Sequence, residues 1–299
     1  MSGANRSEQF ESNYFRTQDG LKLHYRDYAH GSAGQPAAIF PVVCLPGLTR
    51  NARDFELVAA RLGKQYRVVC LDFRGRGNSD YAADALTYVP RSYVRDLSAL
   101  LTHLQCGPVA LIGTSLGGLV GTMFSAVWPK KVLGLVLNDV GPQIDPVGLA
   151  RIASYVGKSQ AVVTWKDAAL AVERLDRGVY PDYEPADWIR TARRRYIEEP
   201  DGRVRLDYDL SIAKSFATPA ATPRQWPFVR RLRRCPVMVI RGSVSDILSR
   251  ETALRMREVI PGLEIVEIPD RGHTPTLEEP AAQAAISAFL ARLSPKESS

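Results

Sequence analysis

Two hydrophobic periods alternate along this chain. Short runs are apolar at four or more consecutive positions, as at the centres of "PVVCLPG", "YRVVCLDF", "VALIGT" and "VLGLVLN". Between them lie stretches whose apolar residues recur every three or four positions. "RSYVRDLSALLTHL", for example, spaces Tyr93, Val94, Leu97, Leu100, Leu101 and Leu104 on one helical face. Runs apolar on both faces fit strands of a parallel sheet covered by helices on each side. The pattern predicts a helix around Asp54–Leu62, another after "VALIGT" reaching about Val127, one from about Arg250 and a last one from about Pro280. Pro41 stands oddly near the start of the strand "AAIFPVVCLPG". Near the N-terminus, "FRTQDGLKLHYRDYA" alternates instead about Asp19-Gly20. Leu21, Leu23 and Tyr25 take one face and Lys22, His24 and Arg26 the other, as in an antiparallel hairpin at a sheet edge.

At Gly141 the alternation stops. Residues 141–230 carry helical spacing, are rich in Arg, Tyr, Trp and Pro, and hold no convincing buried strand. "CPVMVIRG" and "LEIVEIPD" then resume the strand–helix rhythm. The expected organisation is one α/β core made of residues 1–140 and 231–299, with residues 141–230 as a helical cap inserted into it.

Composition changes this picture little. The chain has 299 residues, 45% hydrophobic and 24% charged, enough for a sizeable core without disulfides. Cys44, Cys70, Cys106 and Cys235 form no paired ligand spacing and read as buried thiols rather than a metal site. The polar start "MSGANRSEQFES" does not read as a signal peptide, and no run approaches the roughly 18 apolar residues of a membrane span, so the expectation is cytoplasmic. The net charge of +7 owes much to arginines between Arg190 and Arg234. They lack the aromatic interleaving or helix-turn-helix pattern of a nucleic-acid surface and read as a solvated basic face. An arginine that meets an anionic substrate is compatible with them, but spacing singles none out.

Candidate chemistry centres on "VALIGTSLGGLVGTM". Ser115 stands where a buried strand must turn hard into a helix, with Gly113 before it and Gly117 and Gly118 after it. A serine hydroxyl needs a base, a group that orients the base, and donors for the oxyanion it creates. Of His24, His30, His103 and His273, only His273 follows a strand through a glycine, in "IVEIPDRGHTPTLEEP". That is the strand-end position where open α/β sheets place their sites. The other three read as surface or structural residues. Two acids are candidates: Asp246 after the next-to-last strand and Asp139 directly at the end of "VLGLVLND". Asp246 is preferred because its loop has room to bend back toward His273; Asp139 then caps the loop that opens the insertion. The oxyanion donors are expected to be the backbone N–H groups of Leu116 and Leu48, the latter in "CLPGLTRN", where Gly47 lets the chain approach closely and Pro46 has no N–H to give.

These segments together resemble the α/β-hydrolase fold family. The resemblance rests on Gly113-Thr114-Ser115-Leu116-Gly117, "DFRGRGNSD" at 72–80, "LPGLTRN" at 45–51, "RGSVSD" at 241–246 and "GH" at 272–273, in the chain order Ser, Asp, His. It implies an eight-stranded sheet, a strained turn at Ser115, partners Asp246 and His273, and a cap over the site. Nothing in the sequence has metal-ligand spacing, and no cofactor is expected. One departure is Pro46-Gly47 where the family often has His-Gly. Serine in place of a nucleophilic aspartate counts against the epoxide hydrolases and dehalogenases of the same architecture. "RGRGNSD" lacks the third glycine of a dinucleotide site, and "GTSLGG" lacks the lysine of a phosphate loop.

The expected reaction is hydrolysis of a carboxylic ester of a small or medium, partly apolar substrate through an acyl-enzyme. The chain also resembles the meta-cleavage-product hydrolases and enol-lactonases of aromatic breakdown, and the cofactor-free haloperoxidases. The first of these often carries Asn before the nucleophile, where Thr114 stands here. A non-catalytic receptor of the same fold is the alternative outside enzymes. The expected partners are a small carbonyl compound and water, not nucleic acid or membrane; a homo-oligomer is left open. Trp165, Trp188, Tyr180, Tyr183, Tyr196, Tyr208 and Phe216 are read first as the insertion's own small core and second as pocket wall.

Overall fold

A computed structural model describes residues 10–28, 40–158, 164–216, 218 and 224–293. Its main sheet has eight strands: β1 (Glu11–Arg16), β2 (Lys22–Tyr28), β3 (Val42–Leu45), β4 (Val68–Leu71), β5 (Val109–Thr114), β6 (Val132–Asn138), β9 (Val237–Gly242) and β10 (Glu264–Ile268). The order is β1-β2-β4-β3-β5-β6-β9-β10; the pairs β1–β2 and β2–β4 are antiparallel and the others parallel. The mostly parallel sheet expected from the apolar runs is therefore present. β3 starts only at Val42, directly after Pro41, which lacks the N–H a central strand would need but accepts a bond from Ala110 N–H at 3.0 Å.

Alternation along each strand sorts the core into two layers. Val43, Leu45, Val69, Leu71, Leu111, Leu135, Leu137 and Val239 pack against the apolar faces of α2 (Pro90–His103), α3 (Leu116–Val127) and α9 (Arg250–Val259). Their neighbours Val42, Cys44, Val68, Cys70, Ala110, Ile112, Val136, Met238 and Ile240 pack against α1 (Glu56–Leu62) and α10 (Pro280–Ala291). Cys44 and Cys70 are thus buried as expected, whereas Cys106 and Cys235 are only half-covered. Among the described residues no helix is long and apolar enough to cross a membrane.

α3 is buried on nearly every side, and its glycines set how closely it sits on the sheet. A Cβ at Gly117 would lie 2.0 Å from the carbonyl oxygen of Leu45. That atom is backbone of a central strand and cannot step aside, so Gly117→Ala is expected to destabilise the fold by about 3 kcal/mol or more. Thermal unfolding of the variant measures this; an unshifted midpoint would mean that α3 can slide outward.

Between β6 and β9 the chain forms α4 (Pro146–Tyr155), α5 (Trp165–Asp176), α6 (Pro185–Arg195), α7 (Ile212–Phe216) and α8 (Trp226–Val229). It also forms a two-stranded ladder, β7 (Tyr196–Glu198) with β8 (Val204–Leu206), that the spacing of 141–230 did not announce. Trp188, Tyr180 and Tyr196 join Ala168, Val172 and Val204 in a separate small core here, with Trp165 and Tyr183 packed against it.

His24 departs from its expected polar face. β2 is an interior strand, and His24 is 1% exposed. Its Nδ1–H donates to Asp72 Oδ2 at 2.7 Å, and Nε2 lies 2.8 Å from Ser12 Oγ. Asp72 also accepts the N–H groups of Ala52 and Asn78, so it ties the loop after β3 to the loop after β4. His103 is the last residue of α2, beside Phe15 and Tyr25, while His30 lies outside the described residues.

Candidate active site

The strand-to-helix turn after β5 holds Ser115 at φ 51°, ψ −114°, a conformation that costs an L-residue about 1–3 kcal/mol. Two close approaches hold it there. A Cβ on Gly113 would meet the Gly117 backbone at 2.5 Å, and Ser115 N–H is anchored to Asn138 C=O at 3.0 Å. The turn lifts the hydroxyl above the C-terminal rim of the sheet.

His273, 7% exposed at its side chain, meets that hydroxyl: Nε2 lies 2.9 Å from Ser115 Oγ, and Nδ1 lies 2.8 Å from Asp139 Oδ2. A carboxylate only accepts, so the proton sits on Nδ1 and leaves the Nε2 lone pair for the serine hydroxyl. The histidine loop is itself fastened. Asn138 Nδ2 donates to Pro275 C=O at 2.9 Å, Tyr180 OH to Thr274 C=O at 2.7 Å, and Gly272 N–H to Val179 C=O at 3.1 Å.

The acid against His273 is Asp139, not Asp246. Asp139 is fully buried at φ 56°, directly after β6. Besides His273 Nδ1–H, its carboxylate accepts Gly242 N–H at 2.9 Å and Ser245 Oγ–H at 2.6 Å. The expectation for Asp246 is corrected by the path of its loop. Ser245, whose Oγ also accepts the N–H groups of Ile247 and Leu248, turns inward, and the next side chain turns away. There Asp246 binds Arg151 of α4 through two bonds of 2.5 and 2.9 Å. α4 fits against this loop because it has Gly148 at the contact, where a Cβ would lie 2.1 Å from Asp246 C=O. Burial works against the charge of Asp246, but the Arg151 guanidinium outweighs it and holds the carboxyl below its usual range.

Leu116 is the first residue of α3, so its N–H belongs to the amides that have no partner inside the helix. Leu48 follows Gly47, where a Cβ would be 3.8 Å from Ser115 Cβ. Arg76 steadies this loop. Its side chain is fully buried, its Nε donates to Leu48 C=O at 2.8 Å, and its Nη1 donates to Arg74 C=O and Tyr93 OH. Nothing in "DFRGRGNSD" announces this brace: an arginine between two glycines carries no signal of burial.

Two chambers meet at Ser115. One, about 120 Å³, is walled by Leu48, Arg50, Asp54, Arg151, Asp176, Arg194, Arg195 and His273. The other, about 50 Å³, is apolar and walled by Leu116, Leu119, Val140, Ile144, Leu149, Ile152 and Phe216. Burial pushes the Asp176 carboxyl up to about 6, against the pull of Arg50 and Arg151. Tyr180 and Tyr183 reach the charged chamber as well as packing with Trp188.

Known proteins share this architecture. The family model described as the alpha/beta hydrolase family matches residues 42–286. A 3-hydroxybutyrate-oligomer hydrolase of Cupriavidus necator is 36% identical over 271 residues, covering 88% of this chain and 92% of that protein. A 2-(acetamidomethylene)succinate hydrolase of Mesorhizobium japonicum is 28% identical over 76% of this chain and 79% of its own length. The crystal structure of an alpha/beta hydrolase from Novosphingobium aromaticivorans superposes with a TM-score of 0.88 at 46% identity, covering 95% of this chain and 99% of the other. A sheet of this order, a serine at its strand-to-helix turn and matches of this extent lead to one conclusion: the chain belongs to the alpha/beta hydrolase family.

Proposed function

We propose that this protein is a serine hydrolase that cleaves a carboxylic ester of a small or medium substrate through an acyl-enzyme on Ser115. The observation that carries the reading is the unbroken hydrogen-bonded line from Ser115 Oγ through His273 to the buried Asp139. His273 Nε2 takes the hydroxyl proton as Oγ attacks the carbonyl carbon. Asp139 holds the imidazole in the required tautomer and stabilises the imidazolium that forms. The N–H groups of Leu48 and Leu116 receive the oxyanion. The imidazolium then returns its proton to the departing alcohol, and water repeats the cycle on the acyl-enzyme. Residues 141–230 act as the cap, since Arg151, Asp176, Tyr180 and Arg194 reach the reaction chamber from it.

The relative named for hydrolysing 3-hydroxybutyrate oligomers supports an ester as the scissile group, because hydroxy-acid units are joined by carboxylic esters. The relative named for 2-(acetamidomethylene)succinate keeps an amide in view as well, and the resemblance to meta-cleavage-product hydrolases a C–C bond, which the test includes. A panel of p-nitrophenyl esters of two- to eight-carbon acids is set against a vinylogous diketo acid. Turnover of the short esters is expected; cleavage of the C–C bond with negligible ester turnover would replace this reading. Labelling with a fluorophosphonate and mass mapping is expected to place the adduct on Ser115, and an unlabelled Ser115 would favour a receptor.

A further inference from the structure

The two chambers at Ser115 differ in polarity, and they differ in access to His273. The departing alcohol must lie where the imidazolium can protonate it. His273 walls the charged chamber and is absent from the wall of the apolar one. The alcohol half of the ester therefore occupies the charged chamber and the acyl half the apolar one. Each arginine of this wall has an acid partner: Arg50 with Asp54, Arg151 with Asp246, Arg194 with Glu278 and Arg195 with Asp176. Two of these guanidinium groups still hold a buried nitrogen with no hydrogen-bond partner among the described residues, Nη1 of Arg50 and Nε of Arg195.

Of those two, Arg50 is tied to the chemistry by the chain itself. It follows the oxyanion loop by two residues, and the one Cβ position at Gly47 would be 3.2 Å from Arg50 Cγ and 3.8 Å from Ser115 Cβ. Nε and Nη2 of its guanidinium each donate to Asp54 at 2.6 Å, which fixes the plane of the group. The remaining nitrogen, Nη1, is buried and has no hydrogen-bond partner among the described residues. A buried charged donor without an acceptor is costly. A carboxylate is the acceptor whose charge and geometry satisfy it.

Resting on the ester reading above, we infer that the substrate is an ester whose alcohol half carries a carboxylate, and that Arg50 is the residue that reads this carboxylate. The apolar chamber takes a short acyl group that carries no charge. The inference concerns binding and orientation of the leaving group; the bond made and broken is the same, with the alkoxide oxygen taking its proton from His273.

Three isosteric substrates test it on the whole protein: 3-(butanoyloxy)butanoate, its neutral amide 3-(butanoyloxy)butanamide, and sec-butyl hemisuccinate, in which the carboxylate sits on the acyl side. The first is expected to exceed each of the others at least tenfold in kcat/KM. Arg50→Met is expected to shrink its advantage over the amide at least tenfold, mainly through KM, and Arg50→Lys to restore part of it. Equal rates for acid and amide, a preference for the hemisuccinate, or an equal loss on acid and amide in Arg50→Met each overturn the inference. Turnover of p-nitrophenyl butyrate separates the two levels. If that ester is hydrolysed while acid and amide are equal, only the anion assignment falls; if it is not and Ser115 stays unlabelled, the ester reading falls first.

Discussion

Ser115→Ala is expected to lower kcat on a p-nitrophenyl ester by at least ~10⁴-fold, because the oxyanion donors and binding contacts that remain cannot supply a nucleophile. Stopped-flow release of p-nitrophenol should also lose any burst equal to the enzyme concentration, since no acyl-enzyme forms. Stability should hardly change. Alanine at φ 51° is strained as serine is, and the bonds that shape the turn, Ser115 N–H to Asn138 C=O and Gly118 N–H to Ser115 C=O, are made by backbone. A variant with an unaltered unfolding midpoint and substantial residual burst would show that another group attacks the carbonyl.

Asp139→Asn and Asp246→Asn are expected to separate widely. Asparagine at 139 can keep its carbonyl oxygen on Gly242 N–H, so the turn after β6 survives. Its amide, however, meets His273 Nδ1 with a donor, which favours the tautomer whose Nε2 can no longer accept the serine proton. A loss in kcat of about 10³–10⁴-fold follows. Asparagine at 246 removes an ion pair with Arg151 in which both side chains are roughly 30% exposed. Such a pair contributes no more than about 1 kcal/mol, and kcat should stay within about threefold of the parent. Steady-state kinetics on both variants decide the matter. Loss of turnover in Asp246→Asn with Asp139→Asn active would return the acid's role to the loop after β9.

That contrast also marks how far the sequence could be read. Fully apolar runs predicted β3, β4, β5, β6 and β9, and three-to-four spacing predicted α1, α2, α3, α9 and α10 to within a few residues, because burial on both faces dictates such patterns. The glycines around Ser115 announced a turn too tight for side chains. What joined Asp139 to His273 was not local. Nor was the turn of Asp246 away to Arg151 of α4, a contact spanning 95 residues where Gly148 lets the helix approach. One clue was present: Asp139 abuts the end of the strand that follows the serine, with no loop of its own to carry it elsewhere. His24 failed for a related reason. Alternation told apart the two faces of β2 but not whether Asp72 waited over one of them. Likewise the arginines of the reaction chamber come from positions 50, 151, 194 and 195, only the last two within the basic stretch that drew attention in the sequence.

The fastening of the histidine loop to Val179 and Tyr180 bears on any attempt to re-engineer this enzyme by transplantation. Exchanging residues 141–230 with those of a relative would remove two of the ties that hold His273 in place. Chimaeras that ignore this joint should bind new molecules yet turn them over slowly, whereas grafts that bring a matching backbone carbonyl and phenol should inherit both traits together.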